Sequence, residues 1–107
     1  MALVTLEEAK KYLRVDTSDE DAMIGSLNIS AAILTKNVGR VSDEMWTAIN
    51  AAPSPTDPDD VKEIRSVCWV ANLYALAYLF EHREEADHHD LVITMRNLLF
   101  AVREGVI

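Results

Sequence analysis

The segment from Val67 to Phe80 constrains the fold more than any other, because it contains no charged residue. It is too short to span a bilayer, which requires about 20 apolar residues. A helix that is apolar on nearly all sides has to be covered by other elements on more than one side. Pro58 precedes this segment and favours a helix start, with Asp57 as the side-chain cap. We therefore predict a long helix from Asp57 to about Glu84.

Capping and periodicity predict three shorter helices. The first begins at a capping box formed by Thr5 and Glu8 and runs to about Arg14. The second begins at Ser18 and ends at Gly39, where we expect a left-handed backbone conformation. The last covers about residues 90 to 104, and residues 40 to 57 form a loop with a short helical piece.

The second helix has the clearest periodicity of the four. Gly25 lies inside it, and we interpret this glycine as a point of close packing against a neighbour. Apolar side chains at helical spacing form its predicted buried stripe: Met23, Leu27, Ala31, Leu34 and Val38.

These elements predict an all-α fold, a single domain of residues 1–107 in which about four helices pack as a small bundle around a long apolar third helix. Three shorter helices can hardly cover that helix completely. We infer that another copy of the chain buries part of it, or of a surface beside it.

Composition limits the classes of partner. The chain has 107 residues and a formal charge of −8, which disfavours tight binding to nucleic acid phosphates. Residues 1 to 60 carry most of the excess, with eleven acids against five bases. The single cysteine, Cys68, lies among apolar residues, which favours a core side chain over a nucleophile. No signal-peptide pattern is visible, so we expect a soluble cytoplasmic protein with no membrane segment.

Three histidines beyond the apolar run form the one cluster with metal-ligand chemistry. His82, His88 and His89 lie near Glu85, and imidazoles with carboxylates can hold zinc or iron. The spacing favours a helix end and a polar turn, because His88 and His89 are adjacent and diverge. No GxSxG motif or phosphate-binding loop appears either. We therefore predict no catalytic residue, no metal and no cofactor, and expect Arg83 to form a specific ion pair.

Three segments, in order, resemble the small all-helical head-tail connector, or head-completion, proteins of long-tailed bacteriophages, a family often described as possible DNA-packaging proteins. VTLEEAKKYLRVD at residues 4 to 16 is similar to the family's opening and precedes an acidic DED and a helix that ends in glycine. YLFEHREE at 78 to 85 resembles a family ending of the form WYENRE, although Leu79-Phe80 replaces an aromatic pair and His82 replaces asparagine. MRNLLFAVRE completes the match, which covers most of the chain except residues 40 to 57.

The resemblance implies a structural virion protein at the capsid vertex, made in the cytoplasm of a bacterial host from a phage or a prophage genome. It would form a ring, dodecameric in the virion, that links the portal protein to the tail-completion or stopper protein. DNA would pass through the ring without sequence-specific binding. Its interface residues are expected to include the following: Arg14, Asp16, Asp21, Trp69, Tyr78, Phe80, Arg83, Arg96, Val106 and Ile107.

Two alternatives stay open from the sequence alone. One is a small metal-dependent helical enzyme that uses His82, Glu85, His88 and His89. The other is a host or prophage regulator that binds another protein, such as an antitoxin-like module.

Overall fold

A computed structural model describes residues 2–84 and 87–100. These residues form five helices and no strand, which confirms the all-α prediction: α1 (Leu6–Leu13), α2 (Asp21–Val38), α3 (Asp43–Asn50), α4 (Asp59–Glu81) and α5 (His89–Leu99). The short helical piece expected between residues 40 and 57 is a regular helix, α3. The long helix is therefore the fourth in chain order, not the third.

The capping box predicted at the start of α1 is confirmed. The Thr5 hydroxyl accepts a hydrogen bond from the Glu8 amide at 3.1 Å, and the Glu8 carboxylate accepts one from the Thr5 amide at 3.0 Å. Two otherwise unpaired backbone donors are thereby satisfied. α1 ends at Leu13, and the capping residue Arg14 has the left-handed conformation with a φ of 60°.

α2 begins three residues later than predicted. Ser18 does not cap it; its carbonyl accepts a bond from the Asp21 amide at 3.3 Å in a preceding turn. The first residue of the helix, Asp21, is instead fixed by an ion pair with Lys10 of α1 at 2.7 Å. This pair orients the start of α2 against α1.

The predicted left-handed Gly39 is wrong by one residue. Gly39 has an ordinary φ of −75°, and Arg40 takes the left-handed conformation with a φ of 52°. The Val41 amide donates to the Lys36 carbonyl at 3.0 Å, and the Arg40 amide donates to the Asn37 carbonyl at 3.2 Å. These bonds form a Schellman motif, in which the residue after the helix cap reverses the chain.

Asp57 does not cap α4 as predicted. Pro58 is the capping residue and makes no side-chain cap hydrogen bond, while the Asp60 carboxylate in the first turn accepts one from the Val61 amide at 2.8 Å. The Asp57 carboxylate instead accepts bonds from the Ser54 amide and from Arg65, both at 2.9 Å. It therefore organises the connection between α3 and α4. α4 ends at Glu81, before the predicted Glu84.

α4 packs against each of the other four helices, and its closest association is with α2. In the predicted stripe of α2, Ala31 is fully buried, but the other four side chains are only half-buried. The fully buried side chains of the core come chiefly from three helices: Ile24, Ala31 and Thr35 of α2; Cys68, Ala71, Asn72, Ala75 and Leu76 of α4; Leu91, Met95 and Leu99 of α5.

None of the helices in the described ranges is long and apolar enough to cross a membrane.

Candidate protein-binding surface

Two of the three histidines contact the Tyr78 ring. The His82 ring stacks on Tyr78 with centroids 4.2 Å apart, and its Nδ1 lies 2.9 Å from the Tyr78 carbonyl oxygen. His88 meets the same tyrosine edge-on at 6.0 Å. The His89 amide donates to the Asp87 carboxylate at 3.0 Å. The contacts of His82 and His88 with Tyr78 therefore hold the end of α4 next to the start of α5.

The described residues contain no group of three or more potential metal ligands. Glu85, the carboxylate of the candidate metal cluster, lies outside them. Cys68 is fully buried, and burial raises the pKa of its thiol to about 11. A thiol with so high a pKa is protonated at neutral pH, which makes it a poor nucleophile. The prediction that Cys68 is a core side chain is confirmed.

α4 keeps an exposed apolar side in the middle of the segment predicted to be covered. Trp69 is 37% exposed, Val70 53% and Tyr74 39%. Tyr74 follows Val70 by four residues and Trp69 by five, so on a helix of 3.6 residues per turn the three side chains lie within a sector of about 140°. The single chain therefore leaves part of this helix uncovered.

Neighbouring helices extend that apolar side in both directions. Tyr12 of α1 lines a groove with Trp69, while Leu98 of α5 lines another groove with Val70. Trp69 and Val70 also border an open cavity of about 330 Å³ that reaches Leu3 at the N-terminal segment. We call the exposed side chains of Tyr12, Trp69, Val70, Tyr74 and Leu98 together the α4 surface.

The two charged side chains beside this cavity are already engaged. Arg65 donates to Asp57 and to the carbonyl oxygens of Ala48 and Ile49, and Glu8 accepts the capping bond from Thr5. What the α4 surface offers a ligand is therefore mainly apolar and aromatic area. Such area is typical of contacts with another protein.

The sequence-predicted interface residues do not form one cluster. Trp69 lies on the α4 surface, whereas Arg14 and Asp16 are exposed near the connection between α1 and α2. Asp21 is paired with Lys10 within the chain. Arg96 is exposed on α5, and Val106 with Ile107 lies outside the described residues.

Three of those residues gather at the end of α4. Tyr78 and Phe80 are half-buried and pack against the core. Arg83 donates to the Phe80 carbonyl at 2.8 Å and lies 4.9 Å above the Phe80 ring. Among the described residues Arg83 forms no ion pair and makes a cation–π contact, and the specific ion pair expected for it stays a prediction.

Sequence reasoning missed a second exposed uncharged surface, on α2. Ile29 and Ile33 are 63% and 55% exposed, although periodicity placed the helix's important residues on its buried stripe. A signal was present: no charged residue occurs between Asp21 and Lys36. A solvated helix face of that length normally carries charge.

No family model, curated protein or solved structure matches the chain.

Proposed function

We propose that this chain is a structural protein of the bacteriophage neck, a connector that forms a ring between the portal protein and the tail-completion or stopper protein. In the virion the ring is dodecameric, and DNA passes through it without being read. The protein is made in the bacterial cytoplasm, from a phage or a prophage genome. It carries out no chemical reaction.

The α4 surface is the observation that carries this proposal. Trp69, Val70 and Tyr74 leave the central helix apolar on its outer side, and an apolar patch of this kind fits a contact with another protein. Three segments of the chain resemble connector proteins in the same order along the sequence, and this resemblance suggests that the partner is another subunit of a connector ring. Subunits of a cyclic ring contact each other through two different surfaces, and we assign the α4 surface to one of them.

Charge supports the same proposal. A net charge of −8 lets DNA slide through a ring without adhering, because phosphates are repelled at long range. Residues 1 to 60 are more acidic than the remainder, with a charge of −6 against −2. Both parts of the chain are negative, so neither attracts DNA phosphates overall.

The experiment measures assembly with the portal protein. Purified chain, alone and mixed with portal, is analysed by light scattering and native mass spectrometry. We expect a ring on the portal, and we expect Val70→Glu to abolish it while the thermal unfolding midpoint changes little, since that side chain is 53% exposed. Failure of the unaltered chain to bind portal contradicts the proposal.

Two further variants separate assembly from folding. Ile93→Glu is the matched control, because Ile93 is 43% exposed on α5 outside the α4 surface, and assembly should persist. Phe80 is half-buried against the core, so Phe80→Glu should lower stability as well as assembly. If Val70→Glu and Ile93→Glu have equal effects, the α4 surface is not the contact.

A further inference from the structure

The outer side of α2 is exposed and carries no charge. Charged residues make up 26% of the chain, yet four turns of this helix present none of them to solvent. We call this side the α2 face; its residues are all exposed: Ala22, Ser26, Ile29, Ser30, Ile33 and Asn37. Large exposed isoleucines among small side chains are typical of a helix face that packs against another protein.

The α2 face is separate from the α4 surface. α2 packs on α4 through its opposite side, where Asn28 accepts a hydrogen bond from Asn72 at 3.0 Å. The two exposed surfaces thus point away from their shared contact. A partner on the α2 face is distinct from one on the α4 surface.

We propose that the α2 face joins two copies of this chain, with the two α2 helices antiparallel about a twofold axis beside Ile29 and Ser30. The proposal is independent of the connector ring, because it depends only on the shape and the charge of this helix. A twofold contact uses the same patch on both copies, so the patch has to be complementary to itself.

Shape is the first argument for this arrangement. An axis between residues 29 and 30 places Ile33 of one copy level with Ser26 of the other, and Ile29 level with Ser30. Each large side chain then faces a small one, which lets two helices approach and interdigitate. A parallel pair would instead oppose isoleucine to isoleucine and serine to serine.

Charge is the second argument. The same axis brings Asp19, just before α2, near Arg40, just after it, at both ends of the pair. Neither residue has an ion-pair partner within the ranges the structure describes, whereas Lys36 is held by Asp43 at 2.7 Å. An antiparallel pair therefore gains two opposite-charge contacts, and a parallel pair would place like charges together.

The area of the α2 face limits the affinity expected for the dimer. Eighteen residues give α2 a length of about 27 Å, and a strip about 10 Å wide offers about 300 Å² per copy. Stable partners usually contribute about 800 Å² each. We expect a weak dimer that forms at high protein concentration.

The test is sedimentation equilibrium of the full chain over a wide concentration range, without portal. We expect a reversible monomer–dimer equilibrium. Ile33→Glu should raise the dimer dissociation constant by about tenfold or more, because it buries an unpaired carboxylate. The control Ile93→Glu, on α5, should leave the constant unchanged. A chain that stays monomeric at every concentration overturns the proposal, as does an association that Ile33→Glu does not weaken.

Disulfide cross-linking tests the direction of the two helices. Ser30→Cys lies beside the axis and should cross-link to itself, whereas Asn37→Cys should not, unless it is mixed with Ala22→Cys protein. Cys68 is fully buried and does not interfere. Self-cross-linking of Asn37→Cys as fast as that of Ser30→Cys indicates a parallel pair and overturns the proposal. These assays do not involve the portal, so their failure is distinguishable from failure of the connector assay.

Discussion

Arg65 of α4 binds Asp57 through an Nη1–Oδ2 contact of 2.9 Å, and the same guanidinium closes the end of α3. Its Nε and Nη2 donate to the carbonyl oxygens of Ile49 and Ala48 at 3.2 and 3.1 Å. The Arg65 side chain is only 15% exposed. One side chain therefore fastens α3 and the following connection to α4, using the forked donor geometry that only arginine has.

Arg65→Ala should lower the free energy of unfolding by about 2 kcal/mol, because the Ala48 and Ile49 carbonyl oxygens lose their arginine donors and the Asp57 carboxylate keeps only the Ser54 amide. Arg65→Lys should recover little of the loss, since one ammonium cannot reach all three acceptors. Urea denaturation measures both effects. Lys62→Ala is the control: its contact with the Pro55 carbonyl is exposed and 3.4 Å long, so stability should hardly change. Equal losses in Arg65→Ala and Lys62→Ala would contradict this role.

Stability should fall in acid partly through Asp57. Hydrogen bonds from the Ser54 amide and from Arg65 hold the pKa of its carboxyl below the ordinary value of 3.8. Because the pKa is lower in the folded state than in the unfolded one, the stabilisation is complete above the unfolded-state pKa. It is lost as the pH falls through the folded-state pKa. Asp57→Asn should therefore be less stable at neutral pH and lose less stability on acidification.

Asp43 provides the matched control for that pH dependence. A hydrogen bond from Lys36, with the charge of the same ammonium, also lowers the pKa of Asp43, but this side chain is 95% exposed. Solvent screens such a pair, so its effect on stability is small. Denaturation at about pH 7, 5 and 3 should show a flatter profile for Asp57→Asn and an almost unchanged one for Asp43→Asn. If Asp43→Asn flattened the pH profile of stability and Asp57→Asn left it unchanged, Asp57 would not be the group that links stability to pH.

A chain of side-chain amides links the N-terminal segment to the centre of the fold. Asn72, fully buried on α4, donates to Asn28 Oδ1 at 3.0 Å, and Asn28 donates to the Val4 carbonyl at 2.8 Å. Asn28→Ala should cost about 1 to 2 kcal/mol, because the Asn72 amide group and the Val4 carbonyl lose their partners. In a double-mutant cycle, Asn28→Ala and Asn72→Ala should be coupled. Additive effects would contradict the link, and the exposed Asn37→Ala should be neutral at low concentration.

Helix features that depend on residues close together in the sequence were predictable. The Thr5–Glu8 capping box and the class of the fold followed from such patterns. The errors came from tertiary partners: Asp57 was assigned to a helix cap, although Arg65 and the Ser54 amide hold it in the connection. The start of α2 was misplaced for the same reason, because Lys10 of α1 fixes Asp21.

The candidate surfaces were only partly predictable. An uncovered side on the apolar helix was expected, and Trp69 was among the residues named. Which face stays exposed depends on how α1 and α5 pack around α4, and spacing along one helix does not contain that information. The α2 face is visible in the sequence as a run without charged residues between Asp21 and Lys36, but hydrophobic periodicity indicates only the buried side of this helix.

Gly25 inside α2 and Gly39 at its end differ in how much room each leaves for a side chain. A Cβ on Gly25 would meet nothing within 4 Å, so its predicted role in close packing is wrong. A Cβ on Gly39 would lie 2.9 Å from the Thr35 carbonyl oxygen and 3.3 Å from Val41 Cγ2, although the φ of Gly39 is ordinary. Gly39 is therefore required by space, whereas the left-handed conformation belongs to Arg40.

Gly25→Ala should raise the free energy of unfolding by up to about 1 kcal/mol, because alanine loses less backbone entropy in a helix. Arg40→Gly should also stabilise by about 1 kcal/mol, since a φ of 52° strains any side chain. Gly39→Ala should destabilise, because the Thr35 carbonyl is backbone and cannot move aside cheaply. Thermal unfolding at low protein concentration, where chains are monomeric, measures all three. A stabilising Gly39→Ala would mean that the end of α2 has more room than the Schellman motif allows.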